Sequence, residues 1–467
     1  GDAAMTGVDN TFVGLSSGTS NLGGDRAVGV GAYTLANNTT GSRNIAIGHG
    51  ALQTNQEGSY SVAIGYSALN AQNPVGASNM YNTAIGHNAG AAMTTGNLNT
   101  LIGGEAGASL VDGARNTLIG TRAGDALTDG DYNVAIGYQT LSDDDGGAHN
   151  TAIGYFALEN FNGGAGEGYN TIIGSQAGRN ISTGLNNTAV GSLAIGSGTT
   201  TGSDNIALGY SAGLSLTSGT FNNVIGSYAG DALTTGIRNV AIGSYALSAE
   251  STHGKNVAIG YSALKIQDAG VDASNVAIGY EAGMSVADGI NNVIIGGIAG
   301  DALDGGDDNV VIGYNATVAP NGSNQIVIGH DVNAVGGSNG ITLGDSSISY
   351  FQCQIQTITA LSDKRDKKNI VDSTYGLDFI NNLKPVTFEW DHRVETDRDG
   401  TEFYSANKGK KDLGFIAQDL KELDDDYTQL VTDTDPEKLG ASYGRLIPIM
   451  AKAIQELSAK VKELENK

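Results

Sequence analysis

An amide, a β-branched residue, a small apolar residue, a second β-branched residue and a glycine recur in nearly the same order twenty times along this chain. Asn82–Gly86 and Asn150–Gly154 both read Asn-Thr-Ala-Ile-Gly. The closing glycines run from Gly14, Gly31 and Gly48 to Gly313, Gly329 and Gly344, and thirteen of their nineteen intervals are 17 residues long. A fixed short period is the mark of a solenoid. Residues 1–350 therefore read as one stacked shaft, not as a set of globular domains.

Within one unit, Asn116–Gly120 is a short β-branched run suited to a strand. Gly113 lies seven residues before the closing glycine, and the same offset recurs at Gly41, Gly96, Gly130, Gly236 and Gly306. That spacing predicts a turn that needs positive φ or close backbone approach. Glu105 to Leu110 is expected to form a second strand. Along each strand the side chains alternate, with Thr83 and Ile85 on one face and Asn82, Ala84 and Gly86 on the other.

Sixteen of the twenty units carry Asn four residues before the closing glycine. Stacking aligns these amides into a ladder in which each side chain bonds its copies above and below. A coil this thin encloses a core only a few methyl groups wide. Burial on that scale does not outweigh the ordering entropy of a long chain by itself. The expectation is that three chains share the core, in a rod of roughly 95 Å at about 4.8 Å per coil. Over residues 10–345 the repeated Asn-x-Ala-Ile-Gly resembles the head repeats of trimeric autotransporter adhesins and the rolls of phage tail fibres. The resemblance implies an all-β fold, a trimeric left-handed parallel β-roll solenoid of about twenty short coils.

Glycine makes up 70 of 467 residues, about twice its usual share. No Gly-X-Y register is present, which excludes collagen. The formal charge is −24, of which −19 falls before Ser362. Such a surface repels nucleic acid and anionic lipid, so neither nucleic-acid binding nor membrane insertion is expected. Cys353 is the single cysteine, so no intrachain disulfide forms. The chain starts at Gly1 with no visible signal peptide, and the expectation is a fragment whose amino-terminal continuation joins other tail proteins.

Longer intervals, such as Gly154 to Gly174, mark loop insertions. Phe156, Phe161 and Tyr169 accompany that one and are candidate receptor contacts, the alternative being packing within the loop. A tyrosine follows the closing glycine at Tyr66, Tyr138, Tyr155, Tyr210, Tyr261, Tyr280 and Tyr314, either to stack on sugars or to form a supporting ladder. His49, His87 and His330 share that position, while His149, His253 and His392 are scattered. No carboxylate–histidine spacing suggests a metal site, and no cofactor is expected. Asp143–Asp145 and Asp424–Asp426 read as solvated loop charges, because the alternating spacing of calcium loops is absent.

After Tyr350 lysine becomes common, Trp390 appears and the glycine period stops. Residues 351–361 read as a connector and 362–467 as a separate α+β module. Ser362-Asp363-Lys364-Arg365-Asp366-Lys367-Lys368-Asn369-Ile370 opens it. The phrase Leu-Lys-Pro-Val-x-Phe-x-Trp ending at Trp390, Gly414-Phe415-Ile416-Ala417-Gln418, and Ala-Ile-Gln-Glu-Leu ending at Leu457 follow in order. Together these phrases resemble the intramolecular chaperone auto-processing domain at the ends of phage tail fibres, tailspikes and endosialidases.

That resemblance implies a domain that holds three chains in register and then cuts itself off between Leu361 and Ser362. It makes Ser362 the nucleophile and Lys367 the general base. Asp363 is assigned to orient one of them. A lysine serves as base only where burial or nearby cations lower its pKa, and Arg365 and Lys368 are at hand. Asp366 departs from the leucine that many relatives carry there, and a carboxylate at that place opposes the lowering. At the end of the chain Ile447, Met450, Ile454, Leu457, Val461 and Leu464 alternate three and four apart, the seam of a coiled coil over residues 446–466.

The expected protein is a homotrimeric phage tail fibre or spike segment, located in the virion. It binds a host cell-surface receptor, a glycan or outer-membrane component. Its enzymology is limited to one turnover of self-cleavage. The alternatives are a bacterial surface adhesin, which requires an anchor barrel that Lys460–Lys467 does not resemble, and a polysaccharide-degrading tailspike, which requires paired carboxylates in a cleft.

Overall fold

The computed structural model describes residues 5–164, 166–334, 337–345, 348, 362–391, 395–396, 402–403, 408–433 and 439–467. Two compact units emerge, Gly1–Ser323 and Asn324–Lys467. The first is a parallel β-solenoid. Each coil contributes one three-residue strand, from Thr11–Val13 through Val310–Ile312. Neighbours pair in parallel and in register, as Thr100, Leu101 and Ile102 do with Thr117, Leu118 and Ile119. In the second unit Ile326–Ile328 pairs with Ile341–Leu343 in the same way.

The expected second strand does not form. Residues 104–109 are turns, and Glu105 and Gly107 sit at φ of 60° and 57°. Left-handed residues so closely spaced cannot continue a strand. The turns still bond upward, because Gly107 and Ser109 donate to the carbonyls of Ala123 and Asp125 in the next coil at 3.0 and 3.1 Å.

Two glycine positions have different causes. Gly120 holds φ at +134°, and a Cβ there would lie 2.2 Å from the carbonyl oxygen of Gly137. Gly113 has no positive φ, and a Cβ there would lie 2.6 Å from both the Gly130 carbonyl oxygen and the Leu110 side chain. Of the two reasons expected for that offset, close approach is the operative one.

The asparagine column is buried, and the expected copy-to-copy ladder forms along part of it, as where Asn205 donates to Asn187, Asn222 to Asn205 and Asn309 to Asn292 at 3.0–3.1 Å, while bonds to the backbone run throughout. The Asn99 side-chain oxygen accepts from the backbone N–H of Asn116 at 2.8 Å, and its Nδ2 donates to the Gly113 carbonyl at 2.8 Å. Asn116 does the same toward Asn133 and Gly130. The amides thus satisfy backbone groups of the next coil that burial would otherwise orphan. A second column bonds copy to copy as well, where Asn38 donates to Asn21 at 2.7 Å and Asn55 to Asn38 at 3.1 Å.

The interior is closed within a single chain. Ala84, Leu101, Leu118 and Ala135 at the strand centres and Leu52, Leu69 and Leu158 opposite them are all fully buried. This corrects the expectation that the coil borrows its core from other chains. The outer strand row is what stays uncovered: Ile47, Ile85, Ile278 and Ile328 keep 37–40% of their surface.

Asp144 also departs from expectation. It is fully buried, at the register that Leu127 and Phe161 fill in adjacent coils. Its Oδ1 accepts from Gly147 N at 2.8 Å, while Oδ2 has no hydrogen-bond partner among the described residues. Burial pushes its carboxyl up to about 6.

The second unit also contains the carboxy-terminal module. Helices α1 (Leu377–Asn382), α2 (Ala417–Lys421) and α3 (Leu446–Glu465) accompany an antiparallel pair, Val386–Glu389 with Lys411–Gly414. Leu420, Leu430, Leu446 and Ile449 form its core, flanked by Tyr375, Phe379, Ile380, Leu383, Phe415 and Val431. Glu456 on α3 accepts from the Leu377 backbone N–H at 2.8 Å, capping α1 and tying the two helices together.

One prediction concerns Asp144. Its folded pKa is raised, so its contribution to stability is fully present below the unfolded value and is lost as pH rises through about 6. Asp144→Asn is therefore more stable than wild type at pH 8, by on the order of 3 kcal/mol. The difference closes by about pH 4. Chemical denaturation across that range checks both the sign and the window.

Candidate functional site

The proposed receptor contacts separate. Phe161 is fully buried, a correction with a simple cause. It lies eleven residues after Asn150, as Leu127 follows Asn116, so it belongs to the interior column and the insertion begins after it. Phe156 packs edge-on against Tyr138 and Tyr155, and the Arg179 guanidinium lies 4.6 Å from its ring centre. Tyr169 is exposed and continues a stack, Tyr132 on His149 at 4.9 Å and His149 on Tyr169 at 5.1 Å. This column precedes the asparagines and was not legible as a stripe. The tyrosines after the glycines stack as a ladder: Tyr66 lies between His49 and His87, and Tyr261 lies on Tyr280.

Each acidic run is solvated in part and structural in part: Asp143, Asp145, Asp425 and Asp426 are exposed as expected, whereas Asp144 is buried and Asp424 is half-buried. Asp424 accepts from Leu430 N at 2.6 Å, Thr428 Oγ1 at 2.7 Å and Val431 N at 2.9 Å. Asp425 accepts from Thr428 N and Tyr427 N at 2.9 Å and from the Tyr375 hydroxyl. Burial raises the Asp424 carboxyl, but these hydrogen bonds outweigh it and hold the group below its ordinary value. Stacking also assembles a histidine with two carboxylates, Glu250, His253 and Asp268, which sequence spacing did not suggest.

The Gly-x-x-Ala-Gln phrase has a packing reason at its first residue. A Cβ on Gly414 would stand 2.6 Å from the Tyr443 hydroxyl. That hydroxyl accepts from Phe415 N at 3.1 Å. Phe388 and Trp390 meet edge to face on the neighbouring strand.

At the module's start, a 3₁₀ turn spans Lys364–Asp366. Asp363 caps it, accepting from Arg365 N at 2.8 Å. The Arg365 fork then grips the same carboxylate, with Nε at 3.1 Å and Nη2 at 2.6 Å, and holds its pKa below the ordinary value. The turn brings Lys367 round so that its Nζ hydrogen-bonds Ser362 Oγ. Two of the three expected site residues therefore meet. Asp363 bonds Arg365 and neither Ser362 nor Lys367. Arg365 is neutralised by the same pair. All of Ser362–Lys368 is exposed in the single chain. Leu361, Cys353 and His392 lie outside the described residues.

Residues 362–432 match the family described as chaperone of endosialidase. The carboxy-terminal module is a chaperone domain of the tailspike and endosialidase type. The match begins on Ser362 itself, and the family implies self-cleaving intramolecular chaperone activity. No curated protein matches the chain. A β-solenoid shaft followed by this chaperone module makes the protein tail-fibre- or spike-like. No helix among the described residues is long and apolar enough to cross a membrane.

The Asp424 turn supplies a second prediction. Asp424→Ala leaves two backbone N–H groups without acceptors and destabilises the module by about 3 kcal/mol. In wild type the stability from Asp424 is full above the ordinary pKa and is lost as pH falls through its lower folded value. Fluorescence of Trp390 during acid titration reports this loss, and the alanine variant is already at the acid-like level near neutrality.

Proposed function

We propose that the protein is a homotrimeric bacteriophage tail fibre or spike segment, found in the virion, that presents a host-receptor-binding shaft. Its chaperone module trimerises the chain and then releases itself by cleavage between Leu361 and Ser362. The observation that carries the reading is the Lys367–Ser362 hydrogen bond, at the residue where the chaperone match begins.

Lys367 removes the Ser362 hydroxyl proton, and Oγ attacks the Leu361 carbonyl carbon. The C–N bond breaks, and the departing Ser362 nitrogen takes the proton back from lysine. The resulting ester is opened by water, which leaves a carboxylate on Leu361 and restores the serine hydroxyl. A lysine performs this only when its charge is disfavoured. Exposure in the single chain and the Asp363–Arg365 pair work against that, so the desolvation comes from packing against sister chains.

Two surfaces support assembly. The Ile447, Met450, Ile454, Leu457, Val461 and Leu464 seam of α3 remains 43–70% exposed, while Leu446, Ile449 and Ala453 on the other face dock onto the module. The outer isoleucine row of the shaft is the second. Stripes of this kind call for partners of equal length, and identical chains supply them. The receptor is a cell-surface glycan or outer-membrane component, met by exposed rings such as Tyr169, and the amino-terminal side joins other tail proteins.

Denaturing mass spectrometry tests the chemistry. Wild type yields a piece ending at Leu361, Ser362→Ala stays whole, and Lys367→Met cuts at least roughly 100-fold more slowly. Uncut wild type under native expression overturns the cleavage. Native mass spectrometry tests the assembly: wild type reads as three copies, and Ile454→Asp with Leu457→Asp reads as one copy and stays uncut. Wild type found as a stable single chain overturns the trimer.

A further inference from the structure

One coil breaks the repeat twice within four residues. The interior column eleven residues after each ladder asparagine holds Leu216, Leu233, Gln267 and Val286, but Glu250 in this coil. Three residues later, where Gly236, Gly289 and Gly306 stand in their own coils, this coil has His253. The position is crowded. The His253 carbonyl still accepts from the Asn239 Nδ2 at 3.0 Å, as the glycine carbonyls do elsewhere.

These two departures place a carboxylate and an imidazole side by side. Glu250 is fully buried. Its Oε1 accepts from His253 N at 2.9 Å and lies 3.6 Å from His253 Nδ1. Its Oε2 is buried and has no hydrogen-bond partner among the described residues. A buried carboxylate left half satisfied is costly. Asp268 comes from the next coil, and one donor atom from each of the three lies within 4.8 Å of the others. Burial grades from Glu250 inside, through His253, to the exposed Asp268, which leaves an entry from solvent. The adjacent Asp272 is already paired with Lys255 at 2.7 Å.

We propose that Glu250, His253 and Asp268 form a binding site for a divalent first-row transition ion, zinc being the representative, that staples two successive coils. One imidazole nitrogen with two carboxylate oxygens suits zinc, and water fills the remaining position. Calcium and magnesium prefer oxygen donors throughout and are disfavoured by the imidazole. The ion gives the uncompensated Glu250 oxygen its counter-charge and ties the inner column to the rim of the next coil.

The test uses the full chain, stripped with a chelator, and zinc or cobalt ion alone as the probe. Calorimetric titration gives one zinc per chain, and cobalt gives an absorption band of a low-symmetry nitrogen–oxygen site. Zinc raises the melting temperature by mass action. His253→Ala and Glu250→Gln abolish this binding. Asp268→Asn, at the exposed rim where folding is not at risk, weakens it by no less than the roughly tenfold that loss of an outer-shell partner costs. The absence of zinc binding by wild type overturns the site. Equal stoichiometry and affinity in Asp268→Asn and His253→Ala also overturn it, since the acidic surface then carries the ions.

Discussion

Each coil of the shaft relies on the next for its hydrogen bonds, and the rest of the molecule depends on that constraint. A three-residue strand has almost no internal bonding of its own. Its N–H and C=O groups go to the strands on either side, its turn N–H groups go to turn carbonyls one coil on, and its buried asparagine reaches the same neighbour with both donor and acceptor. Satisfying every buried backbone group in this way demands one fixed stacking distance. That distance in turn excludes any side chain at Gly120 and its equivalents, where a Cβ would collide with the next carbonyl. The glycine period is therefore the trace that backbone stacking leaves in the sequence.

The same constraint limits what a coil can bury. With its interior filled by alanine, leucine and asparagine, the coil has no room for the β-branched residues flanking each central strand residue. Those residues face outward and remain partly exposed. The terminal helix divides in a comparable manner, with one face held by the module and the other bare. Two elements of unrelated geometry thus each leave a long, straight, apolar stripe uncovered. In the proposed trimer each stripe meets its own copies on the sister chains, which identical chains supply.

Much of the architecture was legible in the sequence because its cause is periodic. The strand within Asn116–Gly120, the aligned amides and the separation of Ile85 from Ala84 onto opposite faces all follow from a repeat and an alternation, which do not say by themselves which face is inside. The interior column was harder to read, since it accepts Asn38, Met93, Leu127, Asp144 and Phe161 with nothing in common but register. Counting eleven residues from each asparagine would have put Phe161 and Asp144 inside. Residue type alone suggested a contact and a solvated charge. The turns misled for another reason: left-handed residues such as Glu105 and Arg122, at φ of 60° and 58°, carry no sequence mark when they are not glycine. In the module, ordered phrases located Ser362 and Lys367, whereas the partner of Asp363 depended on how a 3₁₀ turn closes, and Arg365 is nearer to it than spacing suggests. Glu250 and His253 meet three residues apart in one coil, but the arrival of Asp268 beside them is a product of stacking and has no local signature.

The exposure of Ser362 and Lys367 bears on the order of events in the proposed reading. A serine hydroxyl attacks only once a base takes its proton, and a lysine is that base only where its charge is disfavoured. The hydrogen bond between them sets the geometry but not the charge state. Only an environment that penalises the ammonium activates the pair, and the described module offers none by itself. If sister chains provide it, the bond is cut after assembly and not before. The template that brought the chains together is then removed once the roll has closed. Re-forming the shaft from separated chains afterwards lacks its starting point, so its persistence rests on the barrier to unfolding and not on the equilibrium between states. A thin shaft with a small interior gains most from that arrangement, because its resistance no longer has to be supplied by burial alone.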